Sequence, residues 1–339
     1  MKIKKITKNQ IDFEYGTNPC SEIILRPNAF CNLSEVVVRP EDDYQSLSEK
    51  VRLATILGTY QATLTDFKYL RKVWKDNTEE ERLLGVSLTG IMDNEVLSDS
   101  EHGWAFETFT ERGDSLETIL ENLKGVAIDT NKRYSEEIGI PQSTAITCVK
   151  PSGTVSQLVD SASGIHPRYS QYYIRTVRGD LKDPLSKFLI DMGVPNEPAI
   201  GQESSTVVFS FPHSSPAGSS TRHEGTALDQ LQLWLTYARH WCEHKPSITV
   251  YVREDEWMEV GAFVYRHFDE MSGVSFLPYD SGTYQQAPYQ EITKEEYERF
   301  LSEFPTDIDW GSFREEEDNT VSSQSYACTG DVCEVVDIS

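Results

Sequence analysis

Short apolar runs alternate with stretches of helical periodicity through most of this 339-residue chain, and that alternation is the tightest constraint on its fold. The β-branched run Glu35-Val36-Val37-Val38-Arg39 predicts a strand. Apolar residues at Leu47, Val51, Ala54, Leu57, Leu64, Phe67, Leu70 and Val73 then recur at helical spacing, predicting one long helix or two joined ones between Tyr44 and Lys75. Leu83–Ile91 and Ala145–Val149 read as buried strands, separated by a helix over Leu116–Ile138 that Gly139-Ile140-Pro141 stops. Further strands are predicted at Tyr172–Val177, Val207–Phe211, Ile248–Val252 and Val274–Leu277. Helices are predicted around Pro184–Met192, Ala227–Glu243, Glu254–Met271 and Glu291–Phe304. Strands joined through helices of ten or more residues can pair side by side in the same direction, so the pattern predicts an α/β protein with parallel strands.

A formal charge of −24 excludes a broad phosphate-binding footprint of the kind nucleic-acid binders need. The acidic run Glu315–Asp318 reads as a solvated segment, and the chain from about Ser312 onward as lacking regular structure. There is no run of eighteen apolar residues, and the basic opening MKIKKITKNQ lacks the apolar core of a signal peptide. The expected compartment is therefore the cytoplasm, with no membrane partner. Cysteines stand at 20, 31, 148, 242, 328 and 333, without C-x2-C spacing or an accompanying histidine cluster, so no metal site is expected.

Three segments carry possible chemistry. Cys20 has Asn18 and Glu22 two residues away on either side, and an extended chain would place all three on one face. A carboxylate there can move a proton at a hydroxyl while an amide holds it, although a lone cysteine is more often a small buried hydrophobe. Pro151-Ser152-Gly153-Thr154-Val155-Ser156 follows an apolar strand and offers hydroxyls and a glycine suited to phosphate, but lacks the Walker spacing and on its own reads as a structural turn. Cys328 and Cys333 lie five positions apart, with Gly330 among the four residues between them, in an acidic tail with no core to fill, a spacing that suits a redox-active pair.

Taken together, Asn18-Pro19-Cys20-x-Glu22-Ile23, Cys31-Asn32-Leu33, the Pro151–Ser156 turn, Ser163-Gly164-Ile165-His166-Pro167 and the terminal Cys-x4-Cys resemble the ribonucleotide reductases. Tyr172–Val177 with Arg178, Lys245–Tyr251, Gly273–Pro278 and Gln285–Pro288 resemble the adenosylcobalamin-dependent class in particular, in its monomeric triphosphate-reductase form. The resemblance covers nearly the whole chain in order. It implies the C-terminal part of a ten-stranded α/β barrel over residues 1–311, with a central finger loop at 16–33 and a flexible redox tail at 312–339.

It also implies roles. Cys20 would carry the thiyl radical, Glu22 would be the base at the 3′-hydroxyl, and Asn18 would hold the sugar. Cys31 would be one of two thiols reducing C2′. Ser152, Gly153, Thr154 and Ser156 would surround the substrate phosphates, and Cys328 and Cys333 would pass electrons from thioredoxin or a similar reductant. Cys148 and Cys242 are read as core. No adjacent tyrosine pair or glycyl-radical motif occupies the expected place, so adenosylcobalamin is the expected cofactor, with Gly273–Pro278 and Gln285–Pro288 walling its site. The substrate would be a ribonucleotide, and a separate N-terminal half would complete the enzyme. A remnant or assembly module without turnover is the alternative.

Overall fold

The computed structural model describes residues 14–99, 114–279, 285–314, 325–329 and 332–336. The acidic run at 315–318 and the basic opening lie outside them. The chain divides into two compact units, Met1–Arg168 with Pro216–Tyr279, and Tyr169–Ser215 with Asp280–Ser339.

The first unit contains parallel strands. β3 (Asn32–Val37), β4 (Leu84–Thr89) and β5 (Thr147–Cys148) pair in order, with Glu35 opposite Ser87 and Ser87 opposite Cys148. β9 (Ile248–Val252) and β10 (Val274–Pro278) form a second parallel pair. A parallel bridge at Val149 and Pro246 joins the two groups: Val149 N–H donates to Lys245 O at 3.1 Å, and Ser247 N–H donates to Val149 O at 2.9 Å. The strands therefore run in the order β3-β4-β5-β9-β10, all in one direction, as the alternating pattern predicted.

Helices cover one side of this array: α1 (Tyr44–Gln61), α3 (Leu116–Ile138), α6 (Ala227–His240) and α7 (Trp257–Arg266). The core beneath them joins Val36, Leu84, Val86, Leu88 and Val250 to Leu47, Val51, Leu120, Leu123, Trp234 and Trp241. Each such side chain contributes about 1.5–3 kcal/mol by leaving water. The opposite side differs. Burial alternates along β3 and β9, so that Glu35 on the one strand and Thr249 and Tyr251 on the other are only partly covered. Parallel strands are usually apolar on both faces; here one face mixes Glu35, Ser87 and Thr249 with the apolar Leu33 and Val37.

The predicted helix from Tyr44 to Lys75 divides into α1 and α2 (Lys72–Glu81). Between them lies Thr63-Leu64-Thr65-Asp66, whose short polar side chains compete for backbone hydrogen bonds. Thr65 spends its hydroxyl on Glu79, 2.7 Å away.

In the second unit the strands are antiparallel, which corrects the expectation of parallel strands throughout. β6 (Tyr172–Asp180) pairs with β8 (Thr206–Ser214), with β11 (Tyr289–Glu291) and β7 (Asn196–Pro198) outside them. Periodicity reports which face of a strand is buried, not its direction. The short helix α5 (Pro184–Asp191) leads into β7 rather than straight into a parallel neighbour. A small core of Val194, Val207 and Phe209 packs with Phe211 and Phe304, the latter following α8 (Lys294–Glu303). In the tail, β12 (Ser325–Thr329) and β13 (Val332–Val336) pair antiparallel with Cys328 directly opposite Cys333. Among the described residues, no helix is long and apolar enough to cross a membrane.

Candidate active site

The cysteine loop is a small clasp. β1 (Gly16–Thr17) and β2 (Ile24–Leu25) pair antiparallel, with Gly16 opposite Leu25. Between them Asn18–Ser21 form a turn: Ser21 N–H donates to Asn18 O at 3.0 Å, and Ser21 adopts a left-handed φ of 65°. Pro19 presets its own φ for such a turn. The Asn18 side chain then locks the loop, its Oδ1 accepting from Ile23 N–H at 3.0 Å. Residues 18–22 are thus not an extended strand, and the expected common face for Asn18, Cys20 and Glu22 does not form. Cys20 is exposed at the turn, whereas Glu22 is fully buried.

Two contacts seat this clasp on the parallel array. His244 is buried; its Nδ1 accepts from Ile24 N–H at 3.3 Å, and its Nε2 lies 2.9 Å from Leu84 O. That pairing fixes the neutral tautomer with the proton on Nε2, and burial lowers the pKa to about 4. Beneath the loop, Gly85 leaves the space that Ile23 fills: a Cβ there would meet Leu33 Cδ2 at 2.4 Å and Ile23 Cδ1 at 2.9 Å. His244 was missed by sequence reasoning, as nothing in a lone histidine announces a backbone clamp. Gly85 had a signal, since a glycine inside an apolar strand marks close approach of another segment.

Glu22 has both carboxylate oxygens buried without a hydrogen-bond partner among the described residues. Its backbone carbonyl accepts from Lys245 N–H at 3.0 Å. The nearest described cation is Lys150, whose Nζ stands 3.8 Å from Glu22 Oε1, beyond hydrogen-bond range. The buried carboxylate of Asp93 in the same unit shows the ordinary solution. It accepts from Arg168 Nε and Nη2, Ser219 Oγ and Ala162 N–H, all within 2.9 Å. A buried carboxylate left unbonded is costly, and such sites gather where a ligand supplies the missing donors.

Cys31 precedes β3 and is partly covered. Burial, reinforced by the charge of Glu22, pushes its thiol pKa up, so the sulfur keeps its hydrogen. Four residues on, Glu35 sits on the mixed face. Burial raises its carboxyl to about 7, against the opposing pull of Lys150 and a hydrogen bond from Ser87. Ser152 Oγ donates to Glu35, and Ser87 Oγ donates to it at 3.4 Å while accepting from Lys150 N–H at 2.9 Å. Glu35 thereby ties the Pro151–Thr154 turn to β3 and β4.

In that turn Ser152 is buried with a left-handed φ of 37°, whereas Gly153 and Thr154 are exposed. Ser156, in the single-turn helix α4 (Val155–Leu158), is buried, and its hydroxyl has no hydrogen-bond partner among the described residues. The structure joins Ser152 to the Cys31 strand through Glu35, while Cys328 and Cys333 lie in the second unit and are described by backbone register alone. His166 in the Ser-Gly-Ile-His segment is structural: its Nε2 accepts from Thr249 N–H at 2.9 Å, and its Nδ1 lies 2.8 Å from Ser163 O. Cys148 and Cys242 are buried, as expected of core residues.

The face thus presents an exposed thiol, a buried unbonded carboxylate, a second thiol held protonated and a turn rich in hydroxyls. Comparison with known proteins bears on what such a set does. The chain is 31% identical over 302 residues to an adenosylcobalamin-dependent ribonucleoside-triphosphate reductase of Lactobacillus gasseri, covering 84% of this chain and 40% of that protein. It is 29% identical over 324 residues to the enzyme of the same name from Euglena gracilis, covering 94% and 42%. The crystal structure of a B12-dependent, class II ribonucleotide reductase superposes with a TM-score of 0.71 at 26% identity, over 88% of this chain and 43% of that one. Over most of its length the chain is similar to one part of the adenosylcobalamin-dependent ribonucleotide reductases. No family model matches it. It spans about two fifths of the length of these reductases.

The similarity directs attention to the expected cofactor walls. Gly273, with φ of 67°, brings the start of β10 against the cysteine loop: a Cβ there would lie 2.9 Å from Pro246 O and 3.3 Å from Ser21 O. β10 beyond it is half-exposed, with Val274, Phe276 and Leu277 partly covered. In the second unit Gln286 is buried, its amide bonded to Ile200 N–H, Glu197 and Pro198 O, and Ala287 is buried beside it. Of the Gln285–Pro288 segment, Gln285 is the exposed member.

Proposed function

We propose that this chain is the C-terminal, radical-bearing portion of an adenosylcobalamin-dependent ribonucleotide reductase, reducing ribonucleoside triphosphates to 2′-deoxyribonucleotides together with a separate N-terminal portion. The observation that carries the reading is Glu22, a fully buried carboxylate with neither oxygen hydrogen-bonded, one residue from the turn that exposes Cys20. In this reading the missing donor is the substrate's 3′-hydroxyl.

Adenosylcobalamin, when bound, supplies the one-electron chemistry that leaves Cys20 as a thiyl radical. The close approach of Gly273 to Ser21 and the half-exposed apolar strand after it suit a large flat group beside Cys20, so Gly273–Pro278 would hold it. Cys20 takes the 3′-hydrogen atom, and Glu22 accepts the 3′-hydroxyl proton. The 2′-hydroxyl leaves as water with a proton from Cys31 or its partner thiol. Those two thiols supply two electrons and become a disulfide as the second thiol's hydrogen goes to C2′; Glu22 then returns its proton to the 3′-oxygen, and Cys20 returns the hydrogen atom to C3′. A protonated Cys31 suits this step, because its hydrogen must be present to be given. The second thiol would come from the N-terminal portion.

Asn18, locked to Ile23 through Oδ1, would hold the sugar through its amide nitrogen. Ser152, Gly153, Thr154 and Ser156 would receive the phosphates, with Gly153 and Thr154 on the exposed side. Cys328 and Cys333, opposite each other in register, would reduce the active-site disulfide by exchange and be reduced in turn by thioredoxin or a similar dithiol protein. The decisive experiment combines this chain with a candidate N-terminal portion, adenosylcobalamin and a dithiol, and assays deoxynucleotide. Product that vanishes with Cys20→Ala supports the assignment, whereas a folded complex without product refutes it.

A further inference from the structure

Lys150, Glu22 and Glu35 lie together on one side of the strands near the cysteine loop. Lys150 follows β5, its backbone N–H fixed on Ser87 Oγ at 2.9 Å, and its ammonium stands 3.8 Å from Glu22 Oε1. The titratable groups facing one another in this cluster are Glu35 and Cys31 from the β3 segment, Cys148 from β5 with Cys242 behind it, and Lys150 itself; burial keeps the thiols protonated and uncharged. Glu35 has its own donors in Ser152 and Ser87; the Glu22 carboxylate has none among the described residues. An ammonium in direct contact would occupy a lone pair of Glu22 and compete with any substrate hydroxyl. At its actual distance it offers charge and leaves both oxygens vacant.

We propose that Lys150 is a positioning residue for the reductase reaction: it faces Glu22 with a compensating charge from outside hydrogen-bond range, leaving both carboxylate oxygens open to a ribose hydroxyl. The inference rests on the reductase reading above. The two ends of the pair are wired to the same strand junction, since Val149 N–H donates to Lys245 O and Lys245 N–H donates to Glu22 O. The main chain on either side of the pair is therefore held in register, and the Lys150 stem spans the remaining distance to Glu22. Lys150 is a compact charge on a flexible stem, suited to acting from a distance; an arginine fork would reach in and bond the carboxylate.

The test uses the assembled, product-forming complex. Lys150→Met is expected to lower kcat about 100-fold or more, the scale of an acid–base contribution, while nucleotide Kd measured by equilibrium binding stays within about threefold, the signature of an interaction used in the transition state. Lys150→Gln, which keeps a polar head for folding, is expected to behave alike. A readout independent of turnover is the Glu35 carboxyl followed by NMR: without the opposing lysine charge its midpoint moves above about 7. Variants with wild-type kcat, a kcat loss matched by lost nucleotide affinity, or an unmoved Glu35 midpoint would each overturn the inference. A wild-type complex that makes no product overturns the reductase reading, a distinct failure.

Discussion

Replacing His244 by glutamine should change how the stability of the first unit responds to acid. His244 is held neutral with a pKa of about 4, against 6.5 for a free imidazole. The unfolded chain takes up its proton near pH 6.5 while the folded chain resists until about 4, so its stabilising effect is full above pH 6.5 and is lost as pH falls. A gap of about 2.5 units at 1.36 kcal/mol each amounts to about 3 kcal/mol. Glu35 works in the opposite sense. Its carboxyl is raised from 4.5 to about 7, so its contribution is full below pH 4.5 and is lost as pH rises to 7. Partial exposure reduces that term to about 2 kcal/mol. Between pH 4.5 and 6.5 the folded chain carries the Glu35 proton and the unfolded chain the His244 proton, and the two slopes largely cancel. Urea unfolding, followed by the fluorescence of the buried Trp234 and Trp241, therefore isolates each only by difference. The stability gap between wild type and His244→Gln should shrink by about 1.4 kcal/mol per pH unit below 6.5. In Glu35→Gln, stability should fall steeply with acid because the opposing term is gone. A wild-type-minus-His244→Gln difference constant from pH 4.5 to 7 would refute the clamp as described.

Three further outcomes follow from the same geometry. Gly85→Val drives side-chain atoms into Ile23 and Leu33 and should cost about 1–3 kcal/mol, read as a lowered Tm; an unchanged Tm would mean that the cysteine loop does not rest on β4. Gly153→Ala meets nothing within 4 Å, so stability should hold within about 0.5 kcal/mol while nucleotide affinity falls if this turn receives phosphate; calorimetric titration separates the two. Brief alkylation at neutral pH, mapped by mass spectrometry, should label Cys20 before Cys31 and leave Cys148 and Cys242 untouched until unfolding.

Much of this was legible in the residues because it is local. Apolar spacing located most strands and helices of the first unit, and the Gly139 stop is visible as a short motif. The ordered motifs around Cys20, Cys31 and Pro151–Ser156 pointed to the reductases to which comparison then found the chain similar. Other features were not legible. The antiparallel course of β6, β7, β8 and β11 depends on how the chain returns, which periodicity does not record. Reading residues 18–22 as extended placed Asn18, Cys20 and Glu22 on one face; the Asn18–Ile23 hydrogen bond makes a turn instead.

By itself the sequence determined the α/β element pattern, the thiols and carboxylates available and the family their motifs resemble, because those depend on residue identity and nearby spacing. Tertiary structure alone decided which carboxylate is unbonded, which thiol keeps its proton and which histidine clamps the loop. Those properties arise from burial and from partners as distant in sequence as Ile24 and His244 or Glu22 and Lys150. Desolvation and charge act through space, and only the folded chain sets the distances over which they act.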